Sequence, residues 1–185
     1  MLELRFEGRG GQGVQVAAQI LAAAFLRLGR RVQTFVAYDG ERRGAPATAF
    51  LRVDDAPIHL RCGVERAHAA VVLDATLLAA LPPDALHEAA LVLVNAPGAP
   101  CGWAPGGART VVVDAPALAH EAGLGPIVST VMLGALAAAL EEPPLDDLLA
   151  AVAEASPAGG DANVAACRAG HQAVVAERLG ARRAG

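Results

Sequence analysis

Lysine is absent from this chain, so all 15 of the residues counted as lysine or arginine are arginines. Without lysine the sequence has no phosphate-binding loop of the G-x-x-x-x-G-K-[ST] type, which needs that side chain on the phosphates. The formal net charge is -4, which disfavours nucleic-acid binding because such binding depends on an excess of positive charge. We therefore expect no nucleic-acid partner.

Aromatic residues are also scarce, at 3% of the chain, whereas hydrophobic residues make up 54% of its 185 residues. This hydrophobic fraction is too high for a disordered chain. A domain of this length buries roughly 70% of its unfolded surface, so a packed core is expected. The core must therefore be built from alanine, valine and leucine.

Metal-binding spacings are missing. Three cysteines, Cys62, Cys101 and Cys167, lie far apart and form no C-x-x-C pair, so we expect neither a zinc site nor an iron–sulfur cluster. Free thiols of this kind favour a reducing cytoplasm. The histidines share no ligand spacing either, and we expect no metal site from them; they are His59, His68, His87, His120 and His171.

Targeting and hydrolase signals are lacking as well. The first five residues begin directly in a strand-like pattern, without the charged and apolar regions of a signal peptide. No apolar run is long enough to span a bilayer, and we expect a cytoplasmic protein without a membrane partner. The serines, Ser129 and Ser156, lie outside any G-x-S-x-G turn, which excludes a hydrolase of that kind.

The periodicity predicts strands alternating with helices. Predicted strands cover residues 2–7, 31–38, 47–53, 69–74, 90–95 and 110–114. Predicted helices cover residues 14–28, 77–89, 127–140, 143–155 and 162–179, the second of them interrupted by Pro82 and Pro83. From about residue 116 the pattern is helical. We read residues 1–185 as one α/β domain with a Rossmann-like open, mainly parallel sheet flanked by helices and a helical C-terminal part.

A glycine-rich turn connects the first strand to the first helix. It consists of Gly8, Arg9, Gly10, Gly11, Gln12 and Gly13 and matches G-x-G-x-x-G. Glycine permits left-handed backbone and close approach, and a helix N-terminus attracts phosphate. A dinucleotide site also needs an acidic residue about 20 residues on, but residues 33–36 are not acidic. Two other interpretations are a turn without a ligand and a loop that faces a partner subunit or an anion.

A second loop is expected beside the first, at the carboxyl edge of the sheet. It contains Glu41, Arg42, Arg43 and Gly44, followed by Ala45 and Pro46. On its own this would be a solvated charged turn. Beside the glycine loop, the arginines become candidates for an anion or a partner carboxylate, because the guanidinium binds both through two parallel hydrogen bonds. Asp74 and Asp114, at predicted strand ends, are more typical of helix N-caps than of catalysis.

Taken together, these segments resemble the gamma subunit, or gamma domain, of the pyruvate/2-oxoacid:ferredoxin oxidoreductase family. In that family the first loop is similar to G-R-G-G-Q-G and the second to G-P-E-R-R-G-A-P; Asp39-Gly40 stands here in place of Gly-Pro. Residues 125–135 resemble the family's P-I-x-N-x-x-M-L-G-A helix, with Ser129 in place of Asn, and residues 163–170 resemble N-x-x-A-x-x-x-G. The resemblance covers nearly the whole chain.

The resemblance implies a subunit of an enzyme that oxidatively decarboxylates a 2-oxoacid, with pyruvate or a branched-chain oxoacid favoured by the Arg-Arg-Gly-Ala-Pro loop. The complex would use coenzyme A, thiamine diphosphate, Mg²⁺ and iron–sulfur clusters and would reduce ferredoxin. Alpha, beta and ferredoxin-like delta subunits would be the partners. No cofactor is assigned to this chain alone, which would lie beside the coenzyme A region.

By itself the chain is expected to carry no catalytic residue, to be inactive and to self-associate, with a homodimer as one form. Two alternatives stay open: a stand-alone Rossmann-type oxidoreductase that binds NAD(P) or FAD, and the beta subunit of an indolepyruvate ferredoxin oxidoreductase.

Overall fold

The computed structural model describes residues 1–38, 44–80, 82–98, 107–156 and 159–184. Within these residues, the strands are β1 Leu2–Arg9, β2 Arg31–Tyr38, β3 Pro46–Asp54, β4 Ala67–Val72, β5 Leu86–Asn95 and β6 Arg109–Val113. The helices are α1 Val14–Arg27, α2 Ala115–Glu121, α3 Ser129–Leu140, α4 Leu145–Ala155 and α5 Gly160–Ala184, with short 3-10 turns at Ala75–Ala80 and Pro83–Ala85.

All six strands join one sheet in the order β2-β3-β1-β4-β5-β6. β3 runs antiparallel to both of its neighbours, β1 and β2, while β1, β4, β5 and β6 pair in parallel. Five strands therefore share one direction. The predicted open, mainly parallel sheet with a helical C-terminal part is confirmed, and β3 adds a reversed strand near one edge.

The two faces of the sheet carry different side chains because the strand period is two residues. On β1, Leu4 and Phe6 are fully buried in the main core, which also receives residues of all five helices. A smaller apolar cluster that includes Phe50, Val72 and Val92 lies apart from that core. The helices thus cover one face, and the other is covered by loops and the 3-10 turns.

Helices α3 and α5 cross with almost no side chain between them. A Cβ atom added to Gly134 would lie 1.8 Å from the backbone oxygen of Cys167, and one added to Gly170 would lie 2.0 Å from that of Val131. Only glycine permits this approach. The close crossing therefore depends on glycine at both positions.

The predicted helix over residues 77–89 is wrong. The chain instead forms the two short 3-10 turns and then enters β5 at Leu86. Pro83 starts the second turn, and a proline removes a backbone donor and excludes a continuing helix. Leu86 and Ala90 are then buried in the smaller cluster, and this burial stabilises the extended conformation. Among the described residues, no helix is both long and apolar enough to cross a membrane.

Candidate functional site

The glycine loop leaves β1 at Arg9 and enters α1 at Val14. Its geometry depends on glycine, because Gly11 and Gly13 have φ values of 100° and 79°, which side-chain-bearing residues rarely adopt. The Gln12 side chain accepts a hydrogen bond from the Arg9 backbone N–H at 2.7 Å. The loop is therefore a fixed turn that brings the N-terminus of α1 to the carboxyl edge of the sheet.

The end of the second loop lies against the glycine loop. The backbone N–H of Gly10 donates to the Ala45 oxygen at 2.8 Å, and that of Gly44 donates to the Gly10 oxygen at 3.3 Å. These bonds extend the pairing of β1 with β3 and join the two predicted site segments. Glu41, Arg42 and Arg43 lie outside the described residues.

The Arg9 side chain ties neighbouring segments together. Its Nε atom donates to the Asp74 carboxylate at 2.8 Å, and its terminal nitrogens donate to the Thr76 hydroxyl at 2.9 Å and the Gly44 oxygen at 3.3 Å. Burial alone would raise the pKa of Asp74, but hydrogen bonds from the Thr76 side chain and backbone and from Arg9 outweigh burial and lower it. Arg9 therefore holds the loops in position.

A cleft of about 720 Å³ opens on the helical side of the glycine loop. It is bounded by the loop, by the starts of α3 and α5 and by the chain after β5 and β6. Its rim carries the exposed apolar side chains of Val16 and Ile127. A cleft of this size and composition accepts a mixed polar and apolar ligand.

Two helix N-termini open into this cleft without a capping side chain. The N-cap residues are Gly13 for α1 and Val128 for α3, and neither helix has an acidic residue in its first turn. A helix start leaves backbone N–H groups unpaired and carries a partial positive charge. The two ends lie close together, since a Cβ at Gly13 would be 3.1 Å from the Ser129 hydroxyl. The cleft therefore favours an anionic group.

Polar side chains fix the remaining walls. The Thr130 hydroxyl donates to Asn163 at 2.9 Å, linking α3 to α5. The Asn95 amide donates to the Leu73 oxygen at 2.9 Å and accepts from the Ala115 N–H at 3.2 Å, linking the ends of β4 and β5 to α2. These bonds make the cleft a rigid frame.

The protein-family comparison matches residues 3–173 to the family described as pyruvate ferredoxin/flavodoxin oxidoreductase. The chain belongs to this family. It is 39% identical over 174 residues to pyruvate synthase subunit PorC of Methanothermobacter marburgensis, covering 93% of this chain and 97% of that protein. It is also 39% identical over 161 residues to the pyruvate/ketoisovalerate oxidoreductases common subunit gamma of Thermococcus kodakarensis, covering 83% and 86% respectively.

A solved structure of the family has the same fold. Pyruvate oxidoreductase subunit PORC from Thermotoga maritima superposes with a TM-score of 0.78 at 34% identity, covering 92% of this chain and 95% of that one. The resemblance to gamma subunits of the oxidoreductase family is thereby confirmed. The two loops that carry that resemblance are the segments that Gly10, Gly44 and Ala45 join.

The structure gives positions to residues whose roles the sequence alone does not define. Ser129, in the position where the family often has Asn, is a buried residue in the first turn of α3 and lines the cleft. Asn163 is the first residue of the N-x-x-A-x-x-x-G motif and holds Thr130. Asp114 caps α2 by accepting from the Ala117 N–H at 3.1 Å, as predicted. Nothing in the sequence indicated that Thr76 is a hydrogen-bond partner of Arg9 and Asp74.

Proposed function

We propose that this chain acts as the gamma subunit of a cytoplasmic 2-oxoacid:ferredoxin oxidoreductase complex whose substrate is pyruvate or a branched-chain oxoacid. The complex would oxidatively decarboxylate that oxoacid with coenzyme A, giving an acyl-CoA and reduced ferredoxin. One observation carries the assignment of the site: the glycine loop and the end of the Arg42–Arg43 loop are joined by backbone hydrogen bonds, next to a cleft with two uncapped helix N-termini.

The redox cofactors belong to the partner subunits in this proposal. Complexes of the family use thiamine diphosphate and iron–sulfur clusters, but this chain has no G-D-G…N-N thiamine motif and no C-x-x-C pair. Cys167 is buried in the main core, and burial raises the pKa of its thiol to about 12. The chain therefore contributes binding and orientation beside the alpha, beta and ferredoxin-like delta subunits.

Coenzyme A is the ligand proposed for the carboxyl edge. Its phosphates need several donors and positive charge, which backbone N–H groups of the glycine loop and the start of α1 supply; the helix dipole alone contributes roughly 0.3–2 kcal/mol. Arg42 and Arg43 would add charge-assisted hydrogen bonds. The rest of the same site would be formed by the two loops, with Arg9 holding them in position. The residues are Gly8, Gly10, Gly11, Gln12, Gly13, Glu41 and Gly44.

The first test asks whether the chain acts alone. Purified chain is assayed for 2-oxoacid-dependent reduction of a viologen dye in the presence of coenzyme A and thiamine diphosphate. We expect no activity until the alpha, beta and delta subunits are added. Robust activity of the isolated chain, or saturable binding of NAD(H), would instead support a stand-alone oxidoreductase.

The second test reverses one charge in the assembled complex. Arg43→Glu is expected to leave assembly intact and to raise the Michaelis constant for coenzyme A by about tenfold or more, because a charge-assisted hydrogen bond contributes roughly 1.5–3 kcal/mol. The Michaelis constant for the oxoacid should change little. Arg31→Glu is the matched control, since Arg31 begins β2 at the opposite, amino edge of the sheet.

The outcomes separate three roles for the second loop. A selective change in the coenzyme A constant supports the ligand role. Loss of assembly, measured by gel filtration, means that Arg43 pairs with a carboxylate of a partner subunit. Unchanged assembly with both Michaelis constants unchanged means a solvated turn, and the site assignment is then wrong.

A further inference from the structure

Two histidines and a glutamate meet at the amino edge of the sheet, away from the glycine loop. One potential ligand atom from each of Glu3, His68 and His87 lies within 4.8 Å of the other two. The two imidazole rings are neighbours, with centroids 4.3 Å apart and planes tilted by 39°. Glu3 is six residues before Arg9 on β1, so this group lies roughly 20 Å from the glycine loop at the strand rise of about 3.3 Å per residue.

The sheet register explains how residues so far apart in sequence come together. The pairing of Leu4 with Ala69 places Glu3 beside His68 on the adjacent parallel strand. β4 and β5 then pair with a register shift between Ala67 and Ala69, and His87 of β5 lies next to His68. The three residues therefore come from consecutive strands of a hydrogen-bonded sheet, which limits their movement.

A buried guanidinium orients the carboxylate of this group. Arg52 is 1% exposed and its Nε atom donates to Glu3 Oε1 at 2.8 Å. Its other nitrogens donate to the oxygens of Gln33, Cys62 and Gly63 at 2.8–2.9 Å. Each carboxylate oxygen accepts independently, so Glu3 can bind Arg52 and a cation together. Hydrogen-bonded carboxylates of this kind are usual behind metal ligands.

We propose that Glu3, His68 and His87 form a binding site for a divalent transition-metal ion of the zinc class. Imidazole nitrogen with carboxylate oxygen is a donor set that suits zinc. The centre of a triangle with sides of at most 4.8 Å lies at most about 2.8 Å from its corners. The ligand atoms therefore need to move by less than about 1 Å to reach the 2.0–2.2 Å of zinc ligation. Water completes the coordination.

One existing contact must give way. The Nδ1 atom of His68 accepts a hydrogen bond from the Glu3 backbone N–H at 3.1 Å. An ion that takes Nδ1 displaces this bond, and an ion that takes Nε2 requires the tautomer that abolishes it. Either route loses one exposed hydrogen bond and gains three ligand bonds. The ion would tie β1, β4 and β5 together at their amino ends.

The test uses the full chain with Cys62→Ser and Cys101→Ser, because thiols bind zinc independently of this group. After treatment with a chelator, the protein is titrated with Zn²⁺ in competition with a chromophoric chelator. We expect one ion per chain. His68→Ala and His87→Ala should each lower the affinity at least about tenfold, and Glu3→Gln should lower it too, while His59→Ala and His120→Ala should leave it within about twofold.

A structural readout keeps the result interpretable if a variant folds poorly. Zn²⁺ should raise the midpoint of thermal unfolding of the parent chain and not that of His68→Gln with His87→Gln, since only an ion that binds the folded state stabilises it. Circular dichroism without metal checks that the variants are folded. Binding that is unaffected by either histidine substitution, or lost equally in His120→Ala, overturns the proposal; so does the absence of saturable binding by the parent.

Discussion

The guanidinium of Arg9 joins the glycine loop, the end of the second loop and the first residues after β4. Asp74 is central to this arrangement because it accepts from Arg9 and from the Thr76 N–H and hydroxyl. These hydrogen bonds outweigh burial, which acts in the opposite direction, and lower the pKa of Asp74. A carboxylate with a lowered pKa stabilises the folded state above its ordinary titration range, and the stabilisation is lost as the pH falls through the lowered value.

Asp74→Asn is therefore expected to reduce the free energy of unfolding by about 1 kcal/mol at pH 7. The difference between parent and variant should shrink as the pH falls below about 4, where the parent carboxylate is increasingly protonated. Urea unfolding at a series of pH values measures this. Asp84→Asn, which removes an exposed carboxylate from the second 3-10 turn, is the control and should have little effect. A difference that grows towards acid pH would contradict the argument.

The two described cysteines, Cys62 and Cys167, differ in burial. Burial raises the pKa of Cys167 to about 12, so its thiol is neutral and shielded at pH 8, whereas Cys62 is exposed. In a Cys101→Ser variant, a thiol-specific disulfide reagent should modify one thiol quickly, and the second only in denaturant, because the thiolate is the reactive form. Loss of the fast phase in the Cys62→Ser variant would identify Cys62 as the thiol that reacts quickly. Two fast thiols in the folded protein would show that the α3–α5 interface opens readily.

At the level of elements, the α3–α5 crossing leaves no room for added volume at Gly134 or Gly170. Gly134→Ala or Gly170→Ala would place a methyl group about 2 Å from a backbone oxygen of the other helix. The helices would have to separate, and we expect each substitution to lower the free energy of unfolding by about 3 kcal/mol, the upper end for overpacking. Chemical denaturation measures the change.

Gly160→Ala is the matched control on α5. Gly160 has no atom within 4 Å of an added Cβ and its φ is not positive, so alanine should be neutral or slightly stabilising because of its better helix propensity. Equal destabilisation by Gly160→Ala and Gly170→Ala would show that the crossing is not the cause.

Sequence periodicity was sufficient to predict the type and bounds of elements whose burial pattern is regular. The alternation in β1 and the apolar surfaces of α1 and α3 predict those elements to within about two residues. The prediction for residues 77–89 failed because Leu77, Leu78 and Leu81 are apolar at helical spacing. Pro82 and Pro83 nevertheless interrupt a helix, and β5 begins at Leu86. Local pattern carries no information about which surface is left to fill.

The same limit applies to the sites. The position of the glycine loop at the carboxyl edge could be predicted, because a strand–glycine–helix pattern fixes its own geometry. For the second loop the described part, Gly44 and Ala45, lies beside the glycine loop as expected, and the role of Glu41, Arg42 and Arg43 stays a prediction. The Glu3, His68 and His87 group could not, because its members are separated by 65 and 19 positions and meet only through the strand order and a register shift. Thr76 is likewise brought to Arg9 by the pairing of β1 with β4.

For the molecule as a whole, the uneven covering of the sheet bears on assembly. The helices lie on one face, and large apolar side chains remain exposed on α1 and α5: Val16, Leu26, Val175 and Leu179. Subunits of obligate complexes bury core-like surfaces that often exceed roughly 2,000 Å². A chain separated from such partners exposes those surfaces to water and to other copies of itself.

We therefore expect the isolated chain to self-associate, with a dimer as the first species. Multi-angle light scattering over a wide concentration range should show an average mass that rises above that of one chain. Adding the alpha, beta and delta subunits should replace the self-associated form by a mixed complex, because one surface cannot serve both contacts at once. A clean monomer at every concentration would contradict the prediction, and a homo-oligomer that persists beside the mixed complex would show that the two contacts use different surfaces.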